Sequence, residues 1–242
     1  MLASTTSRRE FPHTRWSLVQ AANSLHSAAA LEELCSAYWY PLYAYVRRCG
    51  YSAHDAQDLA QAFFCELLEK GWLNMADRER GKLRTFLIVA VRHFMAKEWR
   101  RQAAQRRGGA RTHIPVDTTF AESRYAADPA ASLPAERTYD RQWALTLLDL
   151  TLERLRAEHE DGSRAGSFEE LKGCLMAARG ATDYAAIARD LGTTEATARV
   201  AVHRLRKRFR AIYREEISRT LEDGADIDAE LRHLAAALAD SE

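Results

Sequence analysis

No apolar run in the chain approaches the roughly 20 residues needed to cross a bilayer, which argues against a membrane-spanning segment. Met1 to Glu10 is polar, lacks the hydrophobic stretch of a signal peptide, and reads as disordered. Cysteine is scarce. Cys35, Cys49, Cys65 and Cys174 show no C-x-x-C spacing, so a zinc knuckle or disulfide framework is not indicated. Small apolar fillers in a reducing cytosol is the better reading. No segment alternates strictly between apolar and polar residues, and no internal repeat stands out. A cytoplasmic, soluble, helical chain without metal or cofactor is expected.

Net charge is also nearly lacking, at +1 over 242 residues, but that balance hides strong segregation. From Arg78 to Arg111 there are eleven Lys/Arg against two acids, 11 − 2 = +9. From Arg199 to Arg214 there are seven Lys/Arg and no acid. The compensating acid lies in Glu215 to Glu242, with two arginines against nine acids, 2 − 9 = −7. Two separate basic blocks are the electrostatic footprint of a nucleic-acid binder. The acidic block follows the second one directly and carries Ile227, Leu231, Leu234 and Leu238 at helical spacing. It could fold back on a basic surface and restrain DNA binding, or simply pack on its own unit.

Thr14 can cap a short helix over Arg15 to Ala22. A second helix starts near Ser27 and carries Leu31, Leu34, Tyr38 and Leu42 inward. Pro41 is expected to bend or break it, and Gly50 to end it. From Ser52 a third helix puts Ala56, Leu59, Ala60, Phe63, Phe64, Leu67 and Leu68 on one stripe. Gly71 to Lys82 reads as a loop, and Leu83 to Arg101 as a helix burying Leu83, Leu87, Ala90 and Phe94. Arg106 to Pro134 loses periodicity and holds two glycines and three prolines, so an extended linker is expected. Helicity resumes with Trp143, Leu147, Leu150, Leu152 and Leu155 and breaks at D-G-S-R-A-G-S. Ser167 with Glu170 makes a capping box for a helix from Phe168 to Ala178.

Three stretches could carry function. In Tyr184 to Arg210, Ile187, Ala188 and Leu191 face inward on a short helix, and Gly192 permits a tight turn. Thr194 caps a second helix with Ala198, Val202, Leu205 and Phe209 inside. This is helix-turn-helix spacing. Thr193, Glu195, Thr197, Arg199, His203, Arg204, Arg206, Lys207 and Arg208 point outward, a solvated charged helix being the plain alternative. The polar side of the Ser52 to Leu68 helix carries Asp55, Asp58, Gln61 and Glu66. These lack the His, Lys or metal cluster that catalysis would need, so no enzyme, a metal-dependent nuclease included, is expected. They suit docking of a basic partner. From Trp72 to Arg101, Trp72, Phe86, Phe94 and Trp99 are interleaved with eight Lys/Arg. Aromatic platforms among cations bind single-stranded nucleic acid, although Phe86 and Phe94 fit core positions equally well.

These stretches resemble a known family. D-A-Q-D-L-A-Q-A-F-F, F-L-I-V-A-V-R-H-F-M-A-K-E-W-R-R and I-A-R-D-L-G-T-T-E-A-T-A-R-V-A-V-H-R-L-R-K-R are similar, in that order, to three helices of sigma-70 family RNA polymerase sigma factors of the extracytoplasmic-function type. The resemblance covers roughly residues 28–101 and 140–214. Departures are Phe86 for the usual Trp, Val89 and His93 for Arg and Asn, and Val200 and Ala201 where Ser and Arg are common.

The resemblance implies an all-α chain of two small helical domains joined by an extended linker. Residues 1–26 would be an N-terminal extension and 27–105 a sigma-2-like four-helix domain. Residues 106–135 would form the linker, 136–214 a sigma-4-like helix-turn-helix domain and 215–242 an acidic extension. It implies that Asp55, Asp58, Leu59 and Gln61 face the beta-prime clamp of core RNA polymerase, the beta flap being a second contact. Residues 72–84 would be the loop that captures a flipped base of the minus-ten element. Trp72, Arg84, Phe86, Arg92, His93, Lys97, Arg100 and Arg101 would contact that element and the melted strand. Thr194, Glu195, Thr197, Arg199, His203, Arg204 and Lys207 would meet the minus-thirty-five element. The implied role is promoter recognition and melting in a bacterial, nucleoid-associated setting, with an anti-sigma protein or a kinase as a common regulator in that family. A stand-alone helix-turn-helix transcription regulator is the alternative.

Overall fold

The computed structural model describes residues 28–75, 82–104, 118–128, 133–161, 167–175, 177, 181–221 and 225–239. Among them are nine α-helices and no strand, in agreement with the all-α expectation. The expected helix at Arg15 to Ala22 lies outside the described residues, as do residues 76–81 of the loop expected before Leu83.

Helix α1 (Ala28–Arg48) continues through Pro41, against the expected break. Proline in a helix interior forfeits a hydrogen bond and costs about 3 kcal/mol. Here every residue from Ala37 to Val46 is buried, including five Tyr and Trp rings, and burial of that size outweighs the loss. Gly50, at φ 95°, then turns the chain, a conformation that L side chains rarely adopt. Helix α2 (Ala53–Glu69) opens on Ser52, whose Oγ accepts the Asp55 N–H at 3.1 Å. The expected stripe lies inside: Ala56, Leu59, Ala60, Phe63, Phe64 and Leu67 are buried and Leu68 is half-buried. A 3-10 turn (Trp72–Met75) follows, and then helix α3 (Leu83–Ala104). Its inward residues are Leu83, Leu87, Val91 and Phe94; Ala90 is only half-buried.

The stretch expected to be an extended linker contains helix α4 (Thr118–Ala126). It buries Ala121 in the first core, and Glu122 takes hydrogen bonds from Tyr43 and Arg47, the latter at 2.8 and 3.1 Å. Short length and glycine and proline on either side hid this helix from periodicity. Arg47, followed by opposing burial, holds the Glu122 carboxyl below its ordinary range.

Helix α5 (Ala135–Asp161) is 27 residues long, about 40 Å at 1.5 Å per residue. It serves two cores. Its first half sends Tyr139, Trp143, Ala144 and Leu147 into the same core as α1, α2 and α3. Trp143 stacks on Tyr38 at 4.4 Å between ring centroids. Its second half gives Leu155 to a separate core with Phe168, Leu171, Ile187, Ala198, Val202 and Leu205. The start of the second unit expected at residue 136 is therefore not where the packing changes.

Helix α6 (Ser167–Lys172) stops short of the expected Ala178, ahead of Gly173. Helix α7 (Tyr184–Asp190), helix α8 (Glu195–Ser218) and helix α9 (Ile227–Ala239) complete the chain. Helix α8 also spans both cores, with Ala198 to Ile212 in the second and Ile217 in the first. Helix α9 lies against α5 and α8, burying Leu234 and Ala237.

Candidate nucleic-acid interface

The polar side of α2 separates from what was expected of it. Asp55 is exposed, and the Ser52 hydroxyl donates to its Oδ2 at 2.7 Å. Asp58 stands 3.7 Å from His54 Nδ1, one helical turn away. Leu59 and Gln61, expected at a docking surface, are buried at 3% and 5% exposure. Leu59 belongs to the apolar stripe, and Gln61 is carried inward by its place between Ala60 and Phe63 on the buried side. Glu66 receives Lys70 and Lys97, which ties α2 to α3. Those lysines outweigh its burial and lower its pKa.

Helix α3 presents two unlike halves. In the first, Arg84 is buried, against its expected place on a DNA surface. Its guanidinium meets Glu230 of α9 at 3.1 Å and Asp140 of α5, while Lys82 also reaches Glu230. Arg92 is exposed but hydrogen-bonds the Tyr45 hydroxyl at 2.9 Å and pairs with Glu136. Phe86 is half-buried against the core. Trp72 is half-buried too, tilted on Phe63 at 6.3 Å with Lys70 near its face.

The second half is open. His93, Lys97, Trp99, Arg100 and Arg101 are all exposed, and Trp99 stands out at 66%. Lys97 and Arg101 lean on acids of the helical scaffold, Glu66 and Glu98. Arg100 donates through Nε to the Ala96 carbonyl at 3.1 Å. Trp99 borders an open cleft of about 450 Å³ with Tyr51, Met95, Ala96 and Arg100. Phe94 is a core residue, its ring edge-on to Phe63. The arrangement offers an aromatic face and several cations to a polyanion, and among the described residues no hydrogen bond or ion pair from a distant part of the chain holds Trp99 or Arg100.

In the C-terminal unit, α7, the turn and α8 stand where the sequence put them. Asp183 caps α7, accepting the N–H groups of Ala185 and Ala186 at 3.0 Å. Gly192 makes the turn at φ 60°, with open space where a Cβ would sit, so backbone conformation rather than crowding calls for glycine. Thr194 caps α8 through the Thr197 N–H at 3.3 Å. Thr194, Glu195, Thr197, Arg199, His203, Arg204 and Lys207 are all exposed, and Arg199 lies 4.4 Å over the Tyr184 ring. Two arginines expected to point outward are instead tied down. Arg206 donates to the Cys174 carbonyl at 2.7 and 3.0 Å, and Arg208 holds Glu158 with bonds of 2.6 and 2.7 Å. The Arg208 pair outweighs burial and lowers the Glu158 pKa. Thr193 is half-buried.

Of the four cysteines, Cys174 is buried, Cys35 and Cys65 half-buried, and Cys49 exposed. Burial pushes the Cys35 thiol up to about 11, away from the thiolate form that acts as nucleophile or metal ligand. No helix among the described residues is long and apolar enough to cross a membrane.

An exposed basic and aromatic helix edge, held on an all-helical scaffold, defines a candidate helical nucleic-acid-binding protein. The family comparison sharpens this. Residues 34–105 match the model described as Sigma-70 region 2, a segment that contains α2, the 3-10 turn, α3 and most of α1. The match supports a sigma-70 family factor acting in transcription initiation. No curated protein and no solved structure matches the chain. Helices α7 and α8 lie outside the matched residues.

Proposed function

We propose that the chain is an initiation factor of the extracytoplasmic-function type that directs core RNA polymerase to promoters and assists melting. The observation that carries the reading is the open second half of α3, with His93, Lys97, Trp99, Arg100 and Arg101 exposed inside the matched segment. Trp99 supplies a stacking face for an unpaired base, and the cations track the phosphates. Stacking and charge there offset an unpairing cost of a few kcal/mol per step. Asp55 and Asp58, exposed or half-exposed near the start of α2, would meet the beta-prime clamp. The beta flap would meet the C-terminal unit.

Helix α8 would read the minus-thirty-five element as the second helix of a helix-turn-helix. Thr194 at its cap, with Glu195 and Thr197 in its first turn, would meet base edges, while Arg199, His203, Arg204 and Lys207 would hold phosphates. All seven are exposed. Cytoplasmic action on the bacterial nucleoid follows from the same reading.

Run-off transcription with purified core polymerase on a genomic promoter library tests it. Discrete start sites that require the chain, and that weaken with Arg100→Ala/Arg101→Ala, are expected. Failure to bind core polymerase with duplex binding intact would favour a stand-alone regulator.

A further inference from the structure

Lys82, Arg84 and Arg92, at the start and first half of α3, are partnered by acids from sequence-distant helices. Glu230 of α9 is 1% exposed, yet carries a carboxylate into contact with Arg84 and Lys82. Asp140 of α5 takes the other side of Arg84 and also His233 of α9, at 3.1 Å. Glu136 of α5 pairs with Arg92. Burial alone would raise the Glu230 pKa; Arg84 and Lys82 reverse this and hold it low, so the site is anionic where it touches α3. Helix α9 is anchored as well as charged: Leu234 and Ala237 are buried, and Arg141 donates to the Leu238 carbonyl at 3.0 Å.

We propose that α9, with the first turns of α5, is an acidic strap occupying the cationic first half of α3 in the free chain, and that α9 must lift before DNA can use that half. This rests on the reading of α3 as the DNA surface. The physical reason is competition. A polynucleotide brings phosphates to cations whose attraction is already spent on Glu230, Asp140 and Glu136, and Arg84 has 9% of its side chain accessible. A guanidinium buried between two carboxylates gives up that pairing only if the strap moves as a body, since leaving one charge unpaired in the interior is costly. Apparent DNA affinity is then reduced by the fraction of chains with the strap lifted.

Hydrogen exchange on the full chain, with and without a mixed-sequence single-stranded DNA oligonucleotide, tests both layers. The expected result is that the peptide over 95–101 gains protection while 227–239 loses it. Protection at 95–101 with 227–239 unchanged would overturn the strap and leave the DNA surface standing. No protection anywhere on α3 would overturn the DNA surface itself. In parallel, Glu230→Gln keeps the side chain's size but weakens its hold, and should tighten binding of the same oligonucleotide about tenfold. Unchanged affinity in a folded Glu230→Gln chain would also overturn the strap.

Discussion

The two halves of helix α3 carry similar positive charge in the sequence and differ completely in what holds it. Lys82, Arg84 and Arg92 are matched to Glu230, Asp140 and Glu136, from segments between 44 and 148 residues away. Lys97 and Arg101 instead meet Glu66 and Glu98, which belong to the same small scaffold, and Trp99 stands clear in solvent. A basic block is therefore not a uniform polyanion surface. Its free part is what the rest of the fold leaves uncovered, and here the covering pieces are the first turns of α5 and helix α9.

That contrast can be broken most severely by removing the anchor of α5. Trp143 is fully buried and stacked on Tyr38, so Trp143→Ala should cost about 3–5 kcal/mol in chemical denaturation. It should also raise hydrogen exchange around Arg84 more than around Arg100. Glu230→Ala comes next. Leaving Arg84 and Lys82 without their buried carboxylate should cost roughly 3 kcal/mol, read as a lowered denaturation midpoint at unchanged m-value.

Acid should act in the same direction through several pairs at once. Glu122, Glu158 and Glu230 all have folded-state pKa values lowered from 4.5. Depressed carboxylates favour the folded state above the unfolded value and lose that contribution as pH falls through the folded one. Thermal stability should therefore decline as pH drops below 4.5, and the decline should shrink in Glu230→Gln. Smallest is the cap of α8: Thr194→Ala should cost about 1 kcal/mol and leave exchange in both halves of α3 unchanged, since Thr194 is exposed and bonds only locally to Thr197.

Local chemistry was legible in the sequence wherever one helix decides it. The start of α2 at Ser52, its stripe from Ala56 to Leu67, the Gly192 turn and the Thr194 cap all fall where spacing and side-chain type put them. What spacing could not show is what arrives from elsewhere. Arg84 looks like any surface arginine until Glu230 and Asp140 are placed beside it. Arg206 and Arg208 look solvated until α5 and the Cys174 carbonyl reach them. Leu59 faces outward only by the resemblance, although it already sits on the apolar stripe, whereas Gln61 reads as polar-side from the helix pattern too and is nonetheless buried. Pro41 signalled a break, and aromatic burial on both sides overrode it. Some signal of the strap was present, in the −7 balance of the last segment and its apolar spacing; its docking site was not.

The most direct test of the open half is Trp99→Ala, with single-stranded DNA affinity measured by fluorescence anisotropy beside the melting temperature. Because Trp99 is 66% exposed, the melting temperature should not change. Loss of a stacked base should lower affinity roughly tenfold or more. Wild-type affinity in the Trp99→Ala chain would contradict the assignment of this surface to DNA.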